Sequence, residues 1–140
     1  MTIYLLDASA LIALVVKGHD HWERTNNWAA GIDQFAVCPV VEGALLRFIV
    51  RSGVAARPAK AVLDRVAARP GYQFWPEDFS YREAGLDGVM GHRQLTDAYL
   101  ASLARRHDGC LLATLDRGLA QAHTDVALLI PPAVGPEEEG

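Results

Sequence analysis

Four acidic residues stand where they could do chemistry together. Asp7 follows the apolar run Ile3-Tyr4-Leu5-Leu6, Glu42 lies just past Phe35-Ala36-Val37-Cys38, and Asp116 lies just past Cys110-Leu111-Leu112-Ala113. Asp97 opens the amphipathic stretch that leads into the last of these runs. Taken singly, each reads as a helix N-cap or a first-turn acid that complements the helix dipole. Taken together they pose an electrostatic problem. Two carboxylates about 4 Å apart repel by roughly 4 kcal/mol at an effective dielectric of 20, so a rim carrying four requires a cationic partner. Mg²⁺ takes hard oxygen ligands, keeps several waters and is commonly bound together with substrate phosphate. No cluster of cysteine and histidine suggests zinc. A cation bound there would lower the pKa of its water and so supply a nucleophile.

The elements that must position these acids are legible from periodicity. The short apolar runs read as buried strands of a parallel sheet, whose carboxyl edge is where open α/β sheets bind ligands. Ser9 to Leu14 reads as a helix after the first strand, ending near Gly18, and His19-Asp20-His21 opens a second with Trp22, Trp28 and Ala29 inward. Pro39 marks a helix start. That helix places Glu42 in its first turn, Leu45, Leu46, Phe48 and Ile49 inward, and Arg47 and Arg51 outward, before Ser52-Gly53 stops it. Pro58 opens the next, with Ala61, Val62, Leu63, Val66 and Ala67 as its stripe. Tyr72 to Trp75 reads as a strand, and Ser80 with Glu83 as a capping box starting a helix through about Val89. Leu95, Ala98, Tyr99, Ala101, Ser102 and Leu103 form the small and apolar face of the helix carrying Asp97, closed by His107-Asp108-Gly109. A short helix with Leu119 and Ala122 and a last strand over Val126 to Ile130 complete the pattern. The alternation predicts an α/β fold, a three-layer α/β/α sandwich around a parallel sheet of about five strands.

Length and composition agree with one domain. At 140 residues and 51% hydrophobic content, residues 1–132 suffice to bury roughly 68% of the unfolded surface, and 133–140, with three glutamates, read as a flexible acidic tail. Cys38 and Cys110 fall in apolar runs and read as free core thiols, which points to a reducing, cytosolic compartment. The first apolar run is interrupted by Asp7 and has the form of neither a signal peptide nor a membrane span. The net charge of −4 argues against a nucleic-acid binder, but its distribution does not. Arg47, Arg51, Arg57, Lys60, Arg65 and Arg69 face only Asp64 within their segment, while Glu137 to Glu139 load the tail. Arg47, Arg51, Arg57 and Lys60 are the candidates for phosphate contacts, with a solvated helix face as the alternative. His19 and His21, two apart, fall on different helix faces, and His92 and His107 read as a loop residue and a helix-end residue.

The pieces LLDASALIAL, CPVVEGALLRFIVR, LTDAYLASLA and LATLDRGLA come in an order and spacing that resembles the PIN-domain ribonucleases, and more narrowly the VapC-type toxins of bacterial toxin–antitoxin pairs. The resemblance spans nearly the whole chain. It implies a Mg²⁺- or Mn²⁺-dependent endoribonuclease acting on structured RNA such as tRNA or ribosomal RNA, a homodimer, and a small VapB-type antitoxin whose tail fills the groove near the site. Asp7, Glu42, Asp97 and Asp116 match the family's acidic quartet, and Ser9, Thr96 and Thr114 its hydroxyl positions around the metal. Two other classes are weighed against it. A phosphoacceptor receiver domain needs an acidic pair before its first strand-end aspartate and a lysine after the last strand, whereas Lys17 and Lys60 are the only lysines here. A catalytically inactive PIN-like module that binds RNA or protein would have lost part of the quartet. Removal of the Asp7 or Asp97 charge is expected to abolish cleavage without destabilising the metal-free chain.

Overall fold

The computed structural model describes residues 1–133. In chain order, β1 (Ile3–Leu6) is followed by α1 (Ala8–Val15) and α2 (Trp22–Ala29), and β2 (Gln34–Val37) by α3 (Pro39–Arg51) and α4 (Ala56–Ala67). Next come β3 (Tyr72–Phe74), α5 (Leu95–Arg105), β4 (Cys110–Thr114), α6 (Arg117–Ala122) and β5 (Ala127–Leu129). All the pairings are parallel, in the order β3-β2-β1-β4-β5. Helices cover both faces, giving a three-layer α/β/α sandwich. The chain winds outward from β1 to β3 on one side, then returns to β4 and β5 on the other. The strand order therefore reverses between β1 and β4, and a crevice opens there beyond their carboxyl ends.

The middle of the sheet is the driest part of the molecule, which is why its strands read as unbroken apolar runs. Leu5 pairs with Ala36 on one side and Leu112 on the other, and all three are fully buried. Leu11, Leu45, Leu100, Leu103 and Ile130 close over them. Each such side chain contributes about 1.5–3 kcal/mol of transfer free energy on burial. Cys38 and Cys110 are buried and unbridged, and burial pushes their thiols up to about 12 and about 11, which leaves them inert at neutral pH. No helix among the described residues is long and apolar enough to cross a membrane.

Several local expectations shift. The capping box at Ser80 forms, with Arg82 N donating to Ser80 Oγ at 3.0 Å, but the helix it would start is one 3₁₀ turn, Tyr81–Glu83. Ala84 turns extended, at ψ 149°, and Gly85 N donates to Ser102 Oγ at 2.8 Å rather than into a helix. α4 begins at Ala56, so Pro58 sits within the first turn, where its missing N–H has no intrahelical acceptor to lose. Its stripe is Ala59, Val62, Leu63 and Val66, whereas Ala61 and Ala67 are exposed. Phe48 is 40% and Leu95 40% exposed, since the inward side of each helix is narrower than its run of apolar residues. In α2 the fully buried residue is Thr25, with Trp22, Trp28 and Ala29 half-buried and Trp28 edge-on to Tyr4 at 5.1 Å. Ala122 is exposed. The tail expected over 133–140 lies outside the described residues, Ala133 excepted.

Backbone geometry pins the outer strand β3. Gly71, at φ +83°, accepts from Phe35 N at 3.0 Å, and a Cβ there would fall 1.9 Å from the Asp33 carbonyl oxygen. Beyond β3, Glu77 reaches back to accept from Val40 N at 2.5 Å, so an acid outside the helix caps the start of α3.

Candidate active site

Asp7 is the N-cap of α1 and only 4% exposed. A buried carboxylate survives when donors replace its water, and three do so here. Oδ1 accepts from Ser9 Oγ at 2.7 Å and Ala10 N at 2.8 Å, and Oδ2 accepts from Thr114 Oγ1 at 2.5 Å. The same hydroxyls tie the β1 corner to the β4 corner, because Ser9 Oγ accepts from Leu115 N at 3.1 Å and Thr114 Oγ1 from Asp116 N at 2.9 Å. Asp116 caps α6, its Oδ1 accepting from Gly118 N at 2.8 Å and Leu119 N at 3.2 Å, with no donor to its Oδ2 among the described residues. Asp97, in the first turn of α5, is half-buried and has no protein donor among the described residues.

These three acids line one cleft of about 340 Å³ with Ser9, Thr96 and Arg47. Their pKa values register the crowding. Asp97 is pushed up to about 6, by desolvation first and then by the charges of Asp7 and Asp116. Burial also raises Asp7, with Asp116 adding to the rise, while Thr114, Ala10 N and Ser9 oppose it.

Glu42 does not line this cleft among the described residues. The face of α3 turned toward it carries Val40, Val41, Ala44 and Arg47, and Glu42, two residues from Val40, points about 200° away around the helix. Its pKa is raised by desolvation and by Glu77, so its charged neighbour is the α3 cap rather than the aspartates. Thr96 is exposed on the cleft lip, whereas Ser9 and Thr114 serve Asp7 directly. The basic segment divides too. Arg47 faces the acids and Arg51 follows it along α3, Arg57 and Lys60 are exposed on α4, and Arg69 lines an apolar cavity before β3. Sequence reasoning missed Glu77, and also a second cavity that adjoins Asp97 and Asp116. Its polar lining, including Arg93 and His123, comes from segments with no motif of their own.

The donor set fits a hard divalent cation. Among the described residues no three acidic, histidine or cysteine side chains are already gathered around a single point. An ion would therefore be held by few carboxylate oxygens and several waters, the arrangement Mg²⁺ favours. Counting donors among the described residues, Asp7 has one lone-pair position left of about four, Asp116 has one oxygen open and Asp97 two.

Comparison with known proteins gives the family. A PIN-domain family model matches residues 4–124. The chain is 52% identical over 132 residues to Ribonuclease VapC29 of Mycobacterium tuberculosis, covering 94% of this chain and 98% of that one. Among solved structures, Mycobacterium tuberculosis VapC20, a sarcin–ricin loop cleaving toxin, superposes with a TM-score of 0.64 at 14% identity, over 85% of this chain and 94% of that chain. VapBC2 of Rickettsia felis, bound to a promoter DNA fragment, gives 0.59 at 14% identity, over 91% and 98%. With a family model covering most of its length and a relative this similar along nearly all of it, the chain belongs to the PIN-domain family, among the VapC-type ribonucleases.

Proposed function

We propose that this chain is a Mg²⁺- or Mn²⁺-dependent endoribonuclease, the toxin of a pair with a VapB-type antitoxin, acting as a homodimer in the cytosol on structured RNA such as tRNA or ribosomal RNA. The observation that carries this reading is that Asp7, Asp97 and Asp116 line one cleft at the strand-order reversal, with no donor to Asp97 among the described residues. A divalent cation held by their free oxygens would supply an acidified water and offset phosphate charge. Asp7 is the rigid member, its carboxylate fixed by Ser9, Thr114 and Ala10 N. Asp97 is the member whose charge is costliest without a cation, and Asp116 offers its free oxygen from the opposite wall. Arg47, on the α3 face of the cleft, is placed to draw a phosphate toward the acids. Arg51, Arg57 and Lys60 extend positive charge along α3 and α4 for the flanking strand. Glu42 lies outside this cleft beside Glu77, so its part in the reaction rests on its match to the family's acidic quartet alone.

The test is expression of the chain alone and together with the neighbouring gene, followed by mapping of new 5′ ends in cellular RNA. The expected result is a small set of cuts bearing 5′-phosphate, suppressed by co-expression and, with purified protein, by EDTA. Cleavage that persists in EDTA or leaves 2′,3′-cyclic phosphate would overturn it.

A further inference from the structure

The second cavity, of about 500 Å³, shares Asp97 and Asp116 with the acid cleft, so whatever occupies it abuts the acids. Its remaining polar lining includes Asp87, Arg93, Gln94 and His123. Of these, His123 is held with unusual definition. It is the C-cap of α6, its N–H donating to Leu119 O at 3.1 Å and its carbonyl accepting from Val126 N at 3.0 Å and Ala127 N at 2.8 Å. On the ring, Arg105 Nη2 approaches Nδ1 at 3.2 Å. A guanidinium only donates, so Nδ1 is the acceptor and the imidazole hydrogen resides on Nε2. Arg105 is itself fixed by a two-pronged pair with Asp125, at 2.7 and 3.0 Å. Burial, and then the Arg105 charge, lower the His123 pKa, with Asp125 opposing, which keeps the ring neutral.

The chain thus presents one oriented N–H donor and one guanidinium in a cavity of nucleotide size beside the acids. We propose that this cavity is a nucleotide subsite for the RNA residue next to the scissile phosphate. His123 Nε2–H donates to an acceptor on its base, and Arg93 takes its phosphate. This rests on the ribonuclease reading and adds to it a positioning residue, His123, that the acidic motifs do not contain.

The test is NMR of the full chain with Mg²⁺ present, titrated with each of the four ribonucleoside 5′-monophosphates, which contain no phosphodiester to cut. The His123 ring proton and the amides of Gly88 and Gly118, which line the cavity, are expected to shift saturably with at least one of them. Arg93→Ala should weaken that binding about tenfold and His123→Ala about fivefold. His123→Gln, which keeps an N–H near the Nε2 position, should restore it, and Lys17→Ala, far from the cavity, should leave it unchanged. Peak dispersion elsewhere reports whether each variant is folded. No saturable shift with any nucleotide, or shifts indifferent to folded Arg93 and His123 variants, would overturn the subsite. If the chain cuts RNA yet binds no nucleotide here, the subsite fails and the ribonuclease reading stands. If it binds as described yet cuts no RNA, the cavity is a nucleotide site with no cut beside it, so the ribonuclease reading fails and the assignment to the scissile phosphate fails with it.

Discussion

Two concavities flank the same sheet and have opposite chemistry. The cleft beyond β1 and β4 is lined by Asp7, Asp97 and Asp116, whereas the cavity of about 250 Å³ beneath α2 is lined by Leu6, Leu14, Trp28, Ile32, Phe35 and Pro70. The difference follows from chain direction. At the carboxyl edge the chain enters helices, whose first turns offer unpaired N–H groups, and Asp7 and Asp116 accept them. Helix ends leave unpaired carbonyls instead, a setting that suits cations and apolar side chains. Being acidic is therefore not what separates a reactive residue from a structural one on this rim. Asp7 is satisfied by the fold and Asp97 is not.

Neutralising the two acids one at a time separates their roles most strongly. Asp97→Asn and Asp7→Asn are each expected to lower RNA cleavage at least about 100-fold. In metal-free thermal unfolding they should part company, contrary to the expectation from sequence that both charges could be removed without harm. Asp97→Asn should leave the midpoint unchanged or higher, while Asp7→Asn keeps an acceptor for Ser9 Oγ and Ala10 N but sets an amide donor against the buried Thr114 hydroxyl, and should lose about 1–3 kcal/mol. Identical unfolding of the two variants would erase the distinction. Glu42→Gln, on the far side of α3 from the cleft, is expected to lower cleavage only about tenfold.

At the apolar cavity the pattern should invert. Trp28→Ala should lose about 2–3 kcal/mol of stability by denaturant titration, with cleavage per folded molecule unchanged.

A pH series sharpens the contrast further. Asp97 titrates at about 6 folded against 3.8 unfolded. Between those values the folded chain retains a proton that the unfolded chain has released, so metal-free stability falls as pH rises through that window and is flat below it. After discounting for the half of the side chain open to water, the loss is about 1 kcal/mol. Asp97→Asn should lack this slope, and saturating Mg²⁺ at pH 7 should recover the loss. The smallest effect is expected at Thr25, whose Oγ1 is buried with no partner among the described residues. Thr25→Val should change stability by about 0.5 kcal/mol or less, toward greater stability.

The strands were legible in the sequence because burial on both faces leaves no polar residue to interrupt them, as at Leu5 and Leu112. Asp7 and Asp116 were legible because a parallel sheet fixes which strand end faces the crevice. Helix phase was less so. Glu42 was grouped with the aspartates by its place after a strand, but which side of α3 it takes depends on packing against β3 and Glu77, which are distant in sequence. Likewise the helix predicted after Ser80 had a correct start signal, and the extended backbone at Ala84 and the contact of Gly85 N with Ser102 ended it early. His123 carries no local signature, since its definition comes from Arg105, eighteen positions earlier on another helix.

Gly71 bears on all of this from the far border of the sheet. A methyl group there would overlap the Asp33 carbonyl, and relief requires moving β3 outward. Glu77 would travel with it, withdrawing its grip on the Val40 amide and loosening the turn from which Glu42, and three turns of helix later Arg51, are aimed. One hydrogen atom in place of a side chain thus sets how closely β3 lies beside β2 and, through Glu77, how firmly the first turn of α3 is seated.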